Sequence, residues 1–155
     1  MSLADYAGRK YDYLAFRNVS AIGAKQLGLA LYDEDTSGQI CVGIQKLAQR
    51  WALEFLTEVG SMPAAPTRGS DFMTLVRQGV LRTQSDVLAA FAATNLFITR
   101  SLRNEEYANM PDDERFDEAE LTSVQILPGY MNLSVMITSR AGDARAVIIP
   151  VETLP

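Results

Sequence analysis

The side chains in this sequence best equipped for acid–base or nucleophilic chemistry are carboxylates and one thiol: Asp+Glu 19, Cys 1, His 0. Without histidine there is no Ser-His-Asp or Cys-His arrangement, no HExxH zinc site and no imidazole acid–base switch. A single cysteine excludes an internal disulfide and a Cys-rich zinc site. Cys41 falls at the start of a predicted helix, where a thiol pKa can drop. It has no His or second Cys to work with and reads as a small buried hydrophobe. Paired carboxylates could hydrolyse a glycosidic bond without histidine, and the candidates are Glu54, Glu58, Asp112, Asp113 and Glu114. Glu54 and Glu58 are spaced i,i+4 on a predicted helix surface, and the other three lie in a polar connector. None is placed in an apolar pocket that would raise its pKa. The turn Asp33-Glu34-Asp35-Thr36-Ser37-Gly38 has calcium-like spacing from Asp33 to Gly38. Its twelfth position is Ile44 where a calcium loop needs Glu, so it reads as a polar loop. No catalytic residue, metal ligand or cofactor is expected.

The charge balance points the same way. With Lys+Arg 14 against Asp+Glu 19, the net charge is -5, which argues against nucleic acid or an anionic membrane as partner. The apolar runs are far shorter than the roughly 20 residues that span a bilayer. The start MSLADYAGRK lacks the basic-then-apolar layout of a signal peptide. The expectation is a soluble, intracellular chain of 155 residues whose 48% hydrophobic content supports one real core.

The elements that would position these residues suggest an α+β fold. A helical centre of two long helices and one short one packs on a C-terminal three-stranded antiparallel meander, preceded by an N-terminal extended arm. Residues 1–37 form the arm, with aromatic Tyr6, Tyr11, Tyr13 and Phe16 and a short strand at Leu27-Gly28-Leu29-Ala30-Leu31-Tyr32. Residues 38–155 form one domain. Ile44, Leu47, Ala48, Trp51 and Phe55 share one face of a 3.6-residue period. They predict a helix over 40–59, with Ser37 as a loose N-cap and Gly60 as an αL C-cap. Two prolines and two glycines between Gly60 and Gly69 forbid regular structure and fix a loop suited to an interface. That loop has no Gly-Lys-Ser/Thr sequence to cradle a phosphate. A short helix follows over 71–78, closed by Gly79. Thr83-Gln84-Ser85-Asp86 reads as a capping box opening a helix to about Tyr107. Val87, Leu88, Phe91, Asn95, Ile98 and Leu102 mark its inner face, and Arg103 lies within stacking reach of Tyr107.

The remainder switches to period two. Met131, Leu133, Val135 and Ile137 alternate with polar positions, as do Val147, Ile149 and Val151 on a further strand. A preceding strand over 121–127 changes phase between Leu121 and Val124, which predicts a bulge. Three strands leave two edges that must be covered or used, and Pro150 belongs on an edge.

Gly43-Ile44-Gln45-Lys46-Leu47 and Gln49-Arg50-Trp51 lead into Leu56-Thr57-Glu58-Val59-Gly60-Ser61, followed by Pro66-Thr67-Arg68-Gly69-Ser70. With the long helix, the acidic-Arg stretch and the meander, residues 40–151 resemble the baseplate wedge proteins of contractile-tailed phages, the sheath-initiator family. The family's Glu-Pro-Arg motif, which contacts neighbouring wedge proteins, is altered here to Asp113-Glu114-Arg115, with the proline earlier at Pro111. The resemblance implies a structural, non-enzymatic component of the virion tail baseplate. It would surround the tube and offer strands to the first sheath ring, with sheath subunits, wedge proteins and tube proteins as partners. It also implies interface residues at Gly60, Pro66, Gly69, Asp113, Arg115, Leu133, Val135, Ile137, Val147 and Ile149. After Lys46 every basic residue is Arg, the cation favoured at interfaces. A lysozyme-like hydrolase and another tail or adaptor subunit are the alternatives.

Overall fold

The computed structural model describes residues 9–10, 12–13 and 40–153. The predicted strand Leu27-Gly28-Leu29-Ala30-Leu31-Tyr32, the turn at Asp33 to Gly38 and the Ser37 cap lie outside them, as do Tyr6, Tyr11 and Phe16. Strand β1 (Asp12–Tyr13) pairs antiparallel with β2 (Ile40–Cys41). Helices α1 (Gly43–Leu56), α2 (Phe72–Arg77) and α3 (Gln84–Asn104) follow. A 3-10 turn at Asp112–Glu114 then leads into β3 (Phe116–Leu127), β4 (Tyr130–Ser139) and β5 (Ala144–Glu152). The last three strands form an antiparallel sheet in the order β3-β4-β5, the meander expected from the alternation. The fold is α+β.

The core is built where the two periodicities meet. Trp51, Phe55 and Leu47 of α1, Phe91 and Ile98 of α3, and Leu133, Val135, Ile137 and Ile149 of the sheet are all buried in one cluster. Trp51 stacks on Phe55 at 5.0 Å between ring centroids, and Phe55 meets Phe72 at 4.6 Å. Such pairs add about 0.5–1.5 kcal/mol each beyond the area they bury. Trp51 Nε1 donates to Asn95 Oδ1 at 3.1 Å, so the indole is buried without an orphaned donor.

Helix boundaries differ from the periodicity for local reasons. Ile40 and Cys41 are taken by pairing with the N-terminal segment, so α1 starts at Gly43 rather than residue 40. At its other end Thr57 is extended, because the backbone turns to bridge Glu58 with Ser70. Gly60 (φ 82) therefore serves a turn beyond the helix and is not its αL cap. The predicted capping box is present: Thr83 Oγ1 accepts from Asp86 N, and the Asp86 carboxylate accepts from Thr83 N. Hydrogen bonding with the Thr83 side chain, then with the backbone N–H groups of Thr83 and Arg82, holds the Asp86 carboxyl below its usual range. Helix α3 stops at Asn104, short of Tyr107. Leu88, expected inside, is 50% exposed, and Ala90 takes the inner position.

Strand β3 begins at Phe116, earlier than the alternation indicated, and carries the expected irregularity between Leu121 and Ser123. A second register shift lies between Phe116 and Glu118. Among the described residues no helix is long and apolar enough to cross a membrane.

Candidate interface

The loop after α1 is stitched to itself. Gly60 N donates to Pro66 O at 3.0 Å, and Ser70 N donates to Thr57 O at 2.7 Å. Gly69 is buried with φ 102, and a Cβ there would sit 2.4 Å from Thr57 O. Only glycine allows this approach, so Gly69 acts on its own chain. Pro66 and Gly60 are exposed on the loop's outer side.

The acidic-Arg stretch is not the solvated connector its composition suggested. Glu114 is 0% exposed. Its Oε1 accepts from Gly43 N at 3.2 Å, and its Oε2 meets Lys46 Nζ at 2.6 Å. A carboxylate is thus held at the start of α1, where the free N–H groups and the helix dipole favour negative charge. Asp113 Oδ2 accepts from Arg9 Nη1 at 2.6 Å. The Lys10 carbonyl accepts from Lys46 Nζ, and Lys10 Nζ lies 4.5 Å from the centroid of the Tyr107 ring. Residues 9–13, where described, therefore fold back on their own domain. Arg115 donates to the carbonyls of Tyr107 and Ala108 at 3.3 and 2.8 Å, and this clamps the connection from α3 into β3. Asp113 and Arg115, expected at an interface, spend these contacts within the chain. The stacking expected between Arg103 and Tyr107 is replaced by the Lys10 contact.

Glu54 is likewise buried rather than on a helix surface. It accepts from Ser101 Oγ at 2.6 Å and Arg68 Nε at 3.2 Å. Glu58 pairs with Arg77 and accepts from Thr74 Oγ1 at 2.6 Å. These carboxylates are consumed by structural partners. Among the described residues no group of acids, cysteines and histidines is arranged to hold a metal. Cys41 is buried, and burial, followed by the charge of Asp12, pushes its thiol from 9.0 up to about 11. It stays protonated at neutral pH.

The sheet residues require a correction. Leu133, Val135, Ile137 and Ile149 are fully buried, and Val147 packs on the same cluster. Their side chains face the helices, because the odd-numbered positions of β4 and β5 form the core face. What the sheet offers outward is backbone. Pairing of Ser139 N with Asp143 O and of Thr153 N with Gly129 O sets the register. In that register the even positions of β5, Ala144, Ala146, Ile148, Pro150 and Glu152, direct their main-chain groups away from β4.

The opposite edge is occupied. The β3 carbonyls of Asp117, Ala119 and Val124 accept from Arg103 Nη2, Asn95 Nδ2 and Gln84 Nε2, at 3.1, 2.9 and 3.3 Å. All three donors belong to α3, which runs antiparallel along β3. Among the described residues no side chain does this for β5. Among the described residues the sheet has one edge closed by its own helix and one edge open. The sequence signal for the closed edge was Asn95, a lone amide on an apolar helix face. Gln84 and Arg103 carried no signal, since each sits on α3 like any surface polar residue. The chain matches no protein-family model and no curated protein.

Proposed function

We propose that this chain is a structural component of a contractile tail baseplate, a sheath initiator of the wedge type. It surrounds the tube and accepts strands from the first sheath ring. The observation that carries this reading is the one-sided sheet: among the described residues, β3 is closed by α3 and β5 is open along Ala144, Ala146 and Ile148. A strand laid on β5 gains main-chain hydrogen bonds, and its register is set by the alternating side chains. The order of helix, stitched loop, short helix, long helix and meander is compatible with the resemblance over residues 40–151. The partners are sheath subunits, wedge proteins and tube proteins, and the location is the virion tail. The chemistry is assembly rather than catalysis, which the structural pairing of Glu54, Glu58 and Glu114 supports.

The test is co-expression with a sheath subunit and the adjoining tail proteins, followed by imaging of the assemblies. Wild-type chain is expected at the base of each sheath. Ala146→Pro, which removes an outward N–H without touching the β4 ladder, is expected to abolish sheath initiation. A chain that joins no tail assembly sinks the reading. Cell-wall clearing by the purified chain, lost in Glu58→Gln, would favour the hydrolase instead.

A further inference from the structure

Helix α3 is apolar on two sides. Its inner face, Val87, Ala90, Phe91, Thr94, Ile98 and Leu102, is buried. On its outer side Leu88, Ala92 and Leu96 form one row at four-residue spacing, and Ala89, Ala93 and Phe97 form a second. Leu88, Leu96 and Phe97 are 50%, 52% and 60% exposed. The rows are neighbours on the helix surface and extend about 13 Å along its axis. Single exposed apolar residues need no explanation, but a contiguous patch does.

Beside this stripe runs a groove of about 650 Å³. Ala93 and Phe97 form the ridge between stripe and groove, and Val59, Pro66 and Leu75 line the far wall. The small side chains of Ala89, Ala92 and Ala93 allow a second helix axis to come close, and the large ones at either end would enclose it.

Charge selects the occupant. Exposed Arg82 stands beyond one end of the stripe, and exposed Arg100 and Arg103 beyond the other. Of the nearby acids, Asp86 accepts from the N–H groups of Arg82 and Thr83 and Glu105 pairs with Arg50 and Arg68, while Asp117 stands beside Arg103, which donates to its carbonyl. Asp71 lies on the groove wall at the loop side. Two copies laid stripe to stripe bring like charges together. Antiparallel, Arg82 meets Arg103; parallel, each arginine meets itself. A helix from a different protein with carboxylates flanking its apolar stripe meets opposite charge at both ends.

We propose that the outer face of α3 and the adjoining groove dock an amphipathic, acid-flanked α-helix of another protein. This surface is separate from the β5 edge and does not depend on the tail reading. The test uses two labelled synthetic helical peptides with the same leucine stripe, one flanked by Glu and one by Lys, titrated with the full chain and read by anisotropy. The Glu-flanked peptide is expected to bind at least about tenfold more tightly than the Lys-flanked one. Ala93→Arg, which obstructs the close approach, is expected to weaken it by at least about tenfold. Arg100→Glu leaves the apolar stripe intact and is expected to shrink or reverse the preference between peptides. The proposal is overturned if neither peptide binds, if both variants bind like wild type, or if the chain sediments as a dimer that Ala93→Arg dissociates.

Discussion

Along β3, three side chains of α3 occupy outward carbonyls; along β5, the outward groups at Ala144, Ala146 and Ile148 have no such cover among the described residues. The two edges belong to one small sheet and differ in what lies beside them. An open edge is a template for any strand that meets it. A sheet with one edge closed and the other open can be extended in one direction only. Directionality here comes from a helix running along a strand rather than from the strands themselves.

Four substitutions test this contrast. The largest effect is expected for Lys46→Ala, which takes from buried Glu114 its 2.6 Å cationic partner and leaves it the Gly43 N–H and the more distant Arg9 at 3.8 Å. A loss of about 3–5 kcal/mol should be read from urea unfolding. Asn95→Ala removes the partner of both Trp51 Nε1 and the Ala119 carbonyl, and should cost about 1–3 kcal/mol. Hydrogen exchange should then show loosening along β3 but not β5. Thr83→Ala removes the N-cap of α3 next to Gln84 and should cost about 1 kcal/mol. The smallest stability effect is expected for Ala146→Pro on the open edge, no more than about 1 kcal/mol, although strand addition should be lost. A substitution at β5 as damaging to stability as Asn95→Ala would show that the open edge also has an internal partner.

Cys41 gives a pH test beside the first pair of strands. The unfolded thiol loses its proton near 9.0 and the folded one near 11. Between those values the folded state holds more protons, so this contribution to stability is present below 9 and lost as the pH rises toward 11. Thermal unfolding followed from pH 8 to 11 should show a decline that Cys41→Ala flattens. A decline of equal size in that variant would assign it to other groups.

The meander, its bulge near Leu121 and the core role of Trp51 were legible because each leaves a local signature: a period of two, a change of phase, an aromatic on an apolar face. The capping box was legible for the same reason. Glu114 was not, because a run of acids looks solvated until a distant lysine is brought against it. Lys46 lies 68 residues away in sequence. The interface side chains were misplaced through the same gap. Alternation identifies two faces of a strand, and only the helices decide which one is buried. Leu133, Val135, Ile137 and Ile149 went to the core, leaving backbone as the available surface. The boundary of α1 was set by a contact with Asp12 and Tyr13 that no helical periodicity encodes.

Pro150 lies among the outward positions of β5 and brings no N–H to that edge. A foreign strand seated there without proline of its own forfeits one rung of the ladder. Two copies of this chain meeting edge to edge would forfeit two, one from each. A single ring near the end of the strand therefore handicaps self-pairing more than pairing with a different strand, and opposes growth of the sheet into a fibre.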